Sequence, residues 1–241
     1  MYDLIQGLGI ITYLLFFTFY GKHYNISKLK SLILAICGMI IYLFLVKFLA
    51  WAETGFQYFG SENGIRVYVF LPIFIYGLAK LARVKPLDLF DLQAGPCVLM
   101  YGVSHFACIF AGCCQGFQYY NGTALCNLAN SLTGTNMLPI QLWESLSALV
   151  VFAIVFIVGK IKNHRTNGRL FCIWYILFGA ERFLWEFLRD NQKVIIFKKM
   201  EQADGYIGIS NLAIWSALMF FTGVVFYIFI RKFEKKHTCN I

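Results

Sequence analysis

The sequence predicts an all-α, polytopic membrane protein with seven transmembrane helices, its N-terminus outside and its C-terminus in the cytoplasm. Three observations predict it. Of 241 residues, 59% are hydrophobic and only 14% are charged, and the mean hydropathy is +0.65, which is a membrane composition. Seven apolar stretches, near 3–21, 31–50, 64–82, 94–114, 139–159, 169–188 and 207–230, match the about 20 helical residues that cross a hydrocarbon core of about 30 Å. The basic residues, finally, gather in alternate connections.

Taken in order, the first stretch carries Asp3 where a cleavable leader would have a basic region, and reads as a retained helix. Lys22, Lys28 and Lys30 follow it. Lys80, Arg83 and Lys85 follow the third stretch, Lys160, Lys162, Arg165 and Arg169 the fifth, and Arg231, Lys232, Lys235 and Lys236 the seventh. The positive-inside rule puts these connections in the cytoplasm. The net charge of +9 therefore reports topology and anionic headgroups, and implies no nucleic-acid partner. Inside connections are short, so residues 1–241 read as a single integral membrane domain.

The outer face holds Glu53, Glu62 and the uncharged segment 115–138. Loops beyond about 12–15 residues are usually functional or disordered, so a partly ordered cap over a site and a mobile loop are both open. The stretch 191–206 puts Lys193, Lys198 and Lys199 on the same face, against the charge rule. It reads as a second cap or as an interfacial segment holding lipid phosphates.

Chemistry concentrates at four places. Between Arg169 and Asp190 stand Glu181, Arg182, Glu186, Arg189 and Asp190 itself, and each ionised side chain in lipid costs roughly 2.5–3.5 kcal/mol. Tyr175, Gly179, Arg182, Glu186 and Arg189 share one helical stripe, which faces the interior. The stripe either binds anions through arginine or forms a purely structural ion-pair ladder.

The second place is Gly102-Val-Ser-His-Phe-Ala-Cys-Ile-Phe-Ala-Gly-Cys-Cys-Gln-Gly116. Here His105, Cys108 and Gly112 share a face, and Ser104, Ala107 and Ala111 permit close helix approach. An intramembrane histidine is a functional candidate. Zinc on His105, Cys108, Cys113 and Cys114 is hindered on a continuous helix, where Cys113 points away from His105. Packing, a disulfide with Cys126, and metal binding are, in that order, the readings for Cys113 and Cys114. Cys37, Cys97 and Cys172 read as small hydrophobes, and Cys239 as a reduced tail thiol. The third place is Leu138-Pro-Ile-Gln-Leu-Trp-Glu144, with Gln141 and Glu144 on one face. The fourth is the interfacial run Glu62-Asn-Gly-Ile-Arg-Val-Tyr68, with Arg66.

In this order the pieces resemble the prolipoprotein diacylglyceryl transferase family of bacterial inner-membrane enzymes, over roughly residues 55–230. Phe178-Gly-Ala-Glu-Arg-Phe-Leu-Trp-Glu-Phe-Leu-Arg-Asp190 looks like the family's Tyr-Gly-x-x-Arg-Phe-x-x-Glu-x-x-Arg run. Pro139, Gln141, Trp143 and Glu144 look like its Pro-x-Gln-Leu-Tyr-Glu element. The second place falls on the signature Gly-Arg-x-Gly-Asn-Phe-x-x-Gly-Glu-x-x-Gly and keeps Gly112 and Gly116. His105 stands for its arginine, Cys108 for its asparagine and Cys113 for its glutamate. Glu62 stands where the family's His-Gly-Gly-Leu motif has histidine.

The resemblance implies a multi-pass protein of the bacterial cytoplasmic membrane that transfers the diacylglyceryl group of phosphatidylglycerol to the lipobox cysteine of a prolipoprotein signal peptide. A thioether forms and glycerol phosphate leaves, with no metal or diffusible cofactor required. Under it, Arg182 holds the phosphate, assisted by Arg189 and Arg66. Glu62 or His105 takes the thiol proton, and Glu186 positions Arg182. Tyr68, Cys108, Gly112, Gly116, Gln141 and Glu144 line the lipid site. Three alternatives are a transferase with a different acceptor, a non-catalytic lipid- or peptide-binding protein, and a thiol-based redox or metal protein.

Overall fold

The computed structural model describes residues 1–53, 65–164, 166–189, 194–199, 201, 203–204 and 206–238; the expectation for Glu62 lies outside them. The helices run α1 (Tyr2–Tyr20), α2 (Lys28–Glu53), α3 (Ile65–Leu81), α4 (Pro86–His105), α5 (Ala107–Ala111), α6 (Ala124–Thr133), α7 (Ile140–Ile161), α8 (Arg169–Trp185) and α9 (Asn211–Thr238). Five helical stretches, Tyr2–Tyr24, Lys28–Ala52, Pro86–Ala111, Ile140–Ile161 and Asn211–Lys232, are long and apolar enough to cross a membrane. The chain is an α-helical membrane protein. α3 and α8, at 17 residues each, lie at the short end of the crossing range of about 17–25 residues. Two small antiparallel sheets, which the sequence reading did not foresee, accompany the helices. They pair β1 (Gln118–Tyr119) with β3 (Ala203–Asp204), and β2 (Val194–Lys199) with β4 (Tyr206–Ser210).

α4 sits at the centre, against α1, α3, α7 and α8. Its run from Leu89 to Val98 is buried on every side, as expected of a helix with no solvated face. Gln93 donates through Nε2 to the Tyr13 hydroxyl at 3.0 Å, joining α4 to α1. At one end of α4, Asp91 accepts from the backbone N–H groups of Gly168 at 2.8 Å and Phe171 at 3.2 Å, and from the Thr166 hydroxyl. It thus satisfies donors at the start of α8 that no intrahelical carbonyl can reach. α8 and α9 lie close because of glycine. A Cβ on Gly179 would come within 2.7 Å of the Phe220 nitrogen, and one on Gly223 within 2.8 Å of the Tyr175 Cβ.

The helix expected over 94–114 is broken. α4 ends at His105, and α5 stops at Gly112, whose φ of 65° is left-handed; Cys114 follows at φ 62°. Gly112 makes the reversal easy because it has no Cβ. Segment 115–138 is ordered: α6 is capped by Thr123 Oγ1, which accepts from the Cys126 N–H at 3.2 Å. Phe117, Tyr119, Cys126, Ala129, Leu138 and Ile140 form a second small core, packed against Trp143, Trp185 and Leu188. One face of the segment thus buries itself on the ends of α7 and α8, while residues 130–135 are exposed.

Candidate active site

The stripe on α8 is buried along its length, with Tyr175, Gly179 and Arg182 inside the helix and Glu186 and Arg189 just beyond it. The helix ends at Trp185, and the chain turns so that Arg189 folds back against Glu186. Glu186 Oε1 accepts from Arg182 at 2.9 Å and from Arg189 at 3.1 Å. Its Oε2 accepts from the Ser210 hydroxyl at 2.9 Å, and Ser210 in turn accepts from the Ala213 N–H at the start of α9.

Glu144, near the start of α7, is wholly buried and joins three groups. Its Oε1 meets Arg182 and lies 3.8 Å from Arg189, while its Oε2 meets Nε2 of His105. Two arginines therefore face two carboxylates, so the cluster is near neutral, which is what a site in lipid demands. Tyr101 walls it. Its ring stacks on His105 at 4.9 Å, and the Arg182 guanidinium sits 5.8 Å from the ring centre.

The reversal at Gly112 changes the thiol geometry expected from a straight helix. Ligand atoms of His105, Cys108 and Cys114 all lie within 4.8 Å of one another, and Nδ1 of His105 is 3.8 Å from Cys108 Sγ. Cys114 stands beyond the membrane-crossing part of this segment. Its thiol is drawn below the usual range by its hydrogen bond with Cys108 first, and then, against burial, by Arg189 and His105. Cys113 is exposed, so it does not pack as expected. Cys113, Cys114 and Cys126 are all free thiols, so the disulfide expected with Cys126 is not formed either.

These groups open onto a cavity of about 610 Å³. Arg182, Arg189, His105, Cys108 and Cys114 line one end of it, and Ile10, Met39, Leu43 and Met100 line another part. Tyr68 joins the wall, and its backbone carbonyl accepts from the Tyr175 hydroxyl at 2.6 Å. Other expected residues fall elsewhere. Glu144 and Glu186 stand behind the arginines, and Gln141 is buried beside Glu144 on α7. Arg66 is buried at the start of α3, where Ile65 and Tyr68 reach the wall instead. Gly116 is a backbone element. Its N–H donates to the Leu138 carbonyl at 3.1 Å and it bridges to Arg189, and a Cβ would press within 2.9 Å of Ile140. Tyr101 and Ser210 were not anticipated. Tyr101 lies one turn before His105 on the same helix face, a spacing that could have flagged it. Ser210 left no such signal.

A family model described as prolipoprotein diacylglyceryl transferase matches residues 2–229. The chain belongs to this family. Among its relatives, phosphatidylglycerol–prolipoprotein diacylglyceryl transferase 2 of Clostridium perfringens (strain 13 / Type A) is 26% identical over 206 residues, 80% of this chain and 79% of that protein. The phosphatidylglycerol–prolipoprotein diacylglyceryl transferase of Campylobacter curvus (strain 525.92) is 36% identical over 97 residues, 39% of this chain and 32% of its own. That of Clostridium tetani (strain Massachusetts / E88) is 25% identical over 143 residues, 58% and 54% respectively. The matched span takes in α1 through most of α9, and with them the whole ion cluster.

Proposed function

We propose that this chain transfers the diacylglyceryl group of phosphatidylglycerol to the lipobox cysteine thiol of a prolipoprotein. The observation that carries the reading is the buried cluster of Glu144, Arg182, Glu186 and Arg189, opening onto a cavity lined by both arginines and also by Ile10, Met39, Leu43 and Met100, with Gln6 and Ser104 among the polar residues between. A phospholipid has the same division. Its phosphate would meet the two guanidinium forks, and its acyl chains would lie along Ile10, Met39, Leu43 and Met100.

In this reading Glu144 and Glu186 are positioning residues. They aim Arg182 and Arg189, so the positive charge is in place before the leaving phosphate develops its own. The acceptor thiol must lose its proton, and His105, backed by Glu144, and Glu62 are the groups proposed to receive it. The thiolate then attacks the glyceryl carbon, the C–O bond to phosphate breaks, and glycerol phosphate departs. We further propose seven crossings with the N-terminus outside, a single domain over 1–241, and placement in the bacterial cytoplasmic membrane.

The test is mass analysis of a synthetic lipobox peptide incubated with purified protein in phosphatidylglycerol micelles, beside an Arg182→Ala variant shown to be folded. A diacylglyceryl adduct on the peptide cysteine, lost in the variant, is the expected result. Folded protein that binds the lipid and yields no adduct would remove the lipobox assignment.

A further inference from the structure

The cluster of His105, Cys108 and Cys114 is more than the ion network needs. Three chemically soft side chains, drawn from the end of α4, from α5 and from the reversal beyond it, offer one nitrogen and two sulfurs within 4.8 Å. A tetrahedral zinc ion holds nitrogen at about 2.0–2.1 Å and sulfur at about 2.3 Å, which sets a nitrogen–sulfur edge of about 3.6 Å. The His105 Nδ1 to Cys108 Sγ distance is 3.8 Å, so that edge is already near its bound length. The widest edge needs closure by about 1 Å, within reach of thiol rotation.

The surroundings point the same way. The other ring nitrogen of His105 meets Glu144 Oε2, the carboxylate–histidine arrangement that fixes a metal-binding tautomer and raises its basicity. Tyr101 stacks on the ring with an interplanar angle of 16° and holds its plane. Two thiolates neutralise a dication, so zinc would leave the balance of the arginines and carboxylates undisturbed. His105 and Cys108 also stand at positions where the sequence departs from the family signature. Two departures that would separately weaken a phosphate site together make ligands.

We propose that His105 Nδ1, Cys108 Sγ and Cys114 Sγ bind one Zn²⁺, leaving a fourth coordination position open to the cavity beside Arg182 and Arg189. Three protein ligands with an open position is the pattern of a catalytic rather than a structural zinc. Resting on the transferase reading, the open position takes the acceptor thiol. Coordination releases its proton to water, the bound thiolate attacks the glyceryl carbon, and the C–O bond breaks as glycerol phosphate leaves with the electron pair. His105 then serves as a ligand rather than as the proton acceptor.

Metal content of reduced, detergent-purified protein tests the site without any substrate. One zinc per chain is expected, with Co²⁺ in its place giving a thiolate-to-cobalt charge-transfer band. Cys114→Ser and Cys108→Ser should each weaken the band by about half when loaded and bind zinc at least about tenfold more weakly, whereas Cys126→Ser should match the parent. Absence of stoichiometric zinc, or unchanged affinity in folded Cys114→Ser protein, overturns the proposal. A Cys108–Cys114 disulfide formed in the presence of zinc does so as well. Zinc-loaded protein that forms no peptide adduct would sink the transferase reading and leave the site standing. Full adduct formation by metal-stripped protein would sink the activating role and leave the transferase reading standing.

Discussion

Glu144 is the residue on which the site turns, because one fully buried carboxylate touches His105, Arg182 and Arg189 together. Replacing it by glutamine keeps the shape but leaves one guanidinium charge uncompensated in a dry environment. Breaking a buried pair in this way costs about 3–5 kcal/mol. Glu144→Gln should therefore show a clearly lowered melting temperature in detergent together with loss of adduct formation; an unchanged melting temperature would mean that water reaches the cluster. Arg182 calls for a different experiment, since its proposed role depends on a fork rather than on charge alone. Lysine supplies a point charge and cannot bridge Glu144, Glu186 and a phosphate at once. Arg182→Lys is expected to lower kcat/KM at least about tenfold, equivalent to about 1.4 kcal/mol of transition-state stabilisation. Activity equal to the parent would move the phosphate contact to Arg189.

Between elements, glycine and one buried aspartate decide how closely the helices approach. A Cβ at Gly179 would strike backbone atoms of α9, at 2.7 Å from the Phe220 nitrogen and 2.9 Å from the Ser216 carbonyl oxygen, and neither can yield without moving the helix. Gly179→Ala should cost about 1–3 kcal/mol. Gly7→Ala on α1, where nothing lies within 4 Å, should instead be neutral or stabilise by up to about 1 kcal/mol. Thermal unfolding of the two variants side by side checks the contrast. Asp91→Ala would orphan the N–H groups of Gly168 and Phe171, a loss of about 1–3 kcal/mol for each donor left buried and unpaired. Amide exchange at the start of α8 should rise in that variant ahead of the rest of the molecule. Such contacts bear on what could be read from the chain. The stripe from Tyr175 to Arg182 was legible because helical spacing and the cost of charge in lipid both point inward. The pairing of Cys114 with His105 was not, because a single left-handed glycine, Gly112, breaks a run whose composition alone reads as continuous helix. Segment 115–138 hid its order for a related reason: its apolar residues are spaced irregularly and bury against Trp143 and Trp185, neighbours that no local pattern names.

The whole molecule has a polarity that follows from α7. Glu144 near its start and Lys160 near its end are 16 residues apart, about 24 Å at 1.5 Å per residue, so the ion cluster and the basic end sit towards opposite faces of a bilayer. Around Lys160 lie Lys22, His23 and His164, with the two imidazole rings 4.3 Å apart. On the proposed orientation that end would meet anionic headgroups on the cytoplasmic side, and the cavity would lie towards the outer face, where the proposed acceptor would present its cysteine. Cys113 is the natural probe, being an exposed thiol at the cavity end, whereas Cys239 lies in the basic tail. A membrane-impermeant maleimide applied to intact cells should label Cys113, and Cys113→Ser should lower the signal to what the half-buried Cys114 contributes. Labelling of Cys239 in intact cells, with Cys113 reacting only after the membrane is opened, would reverse the orientation and place the site where no exported acceptor could reach it.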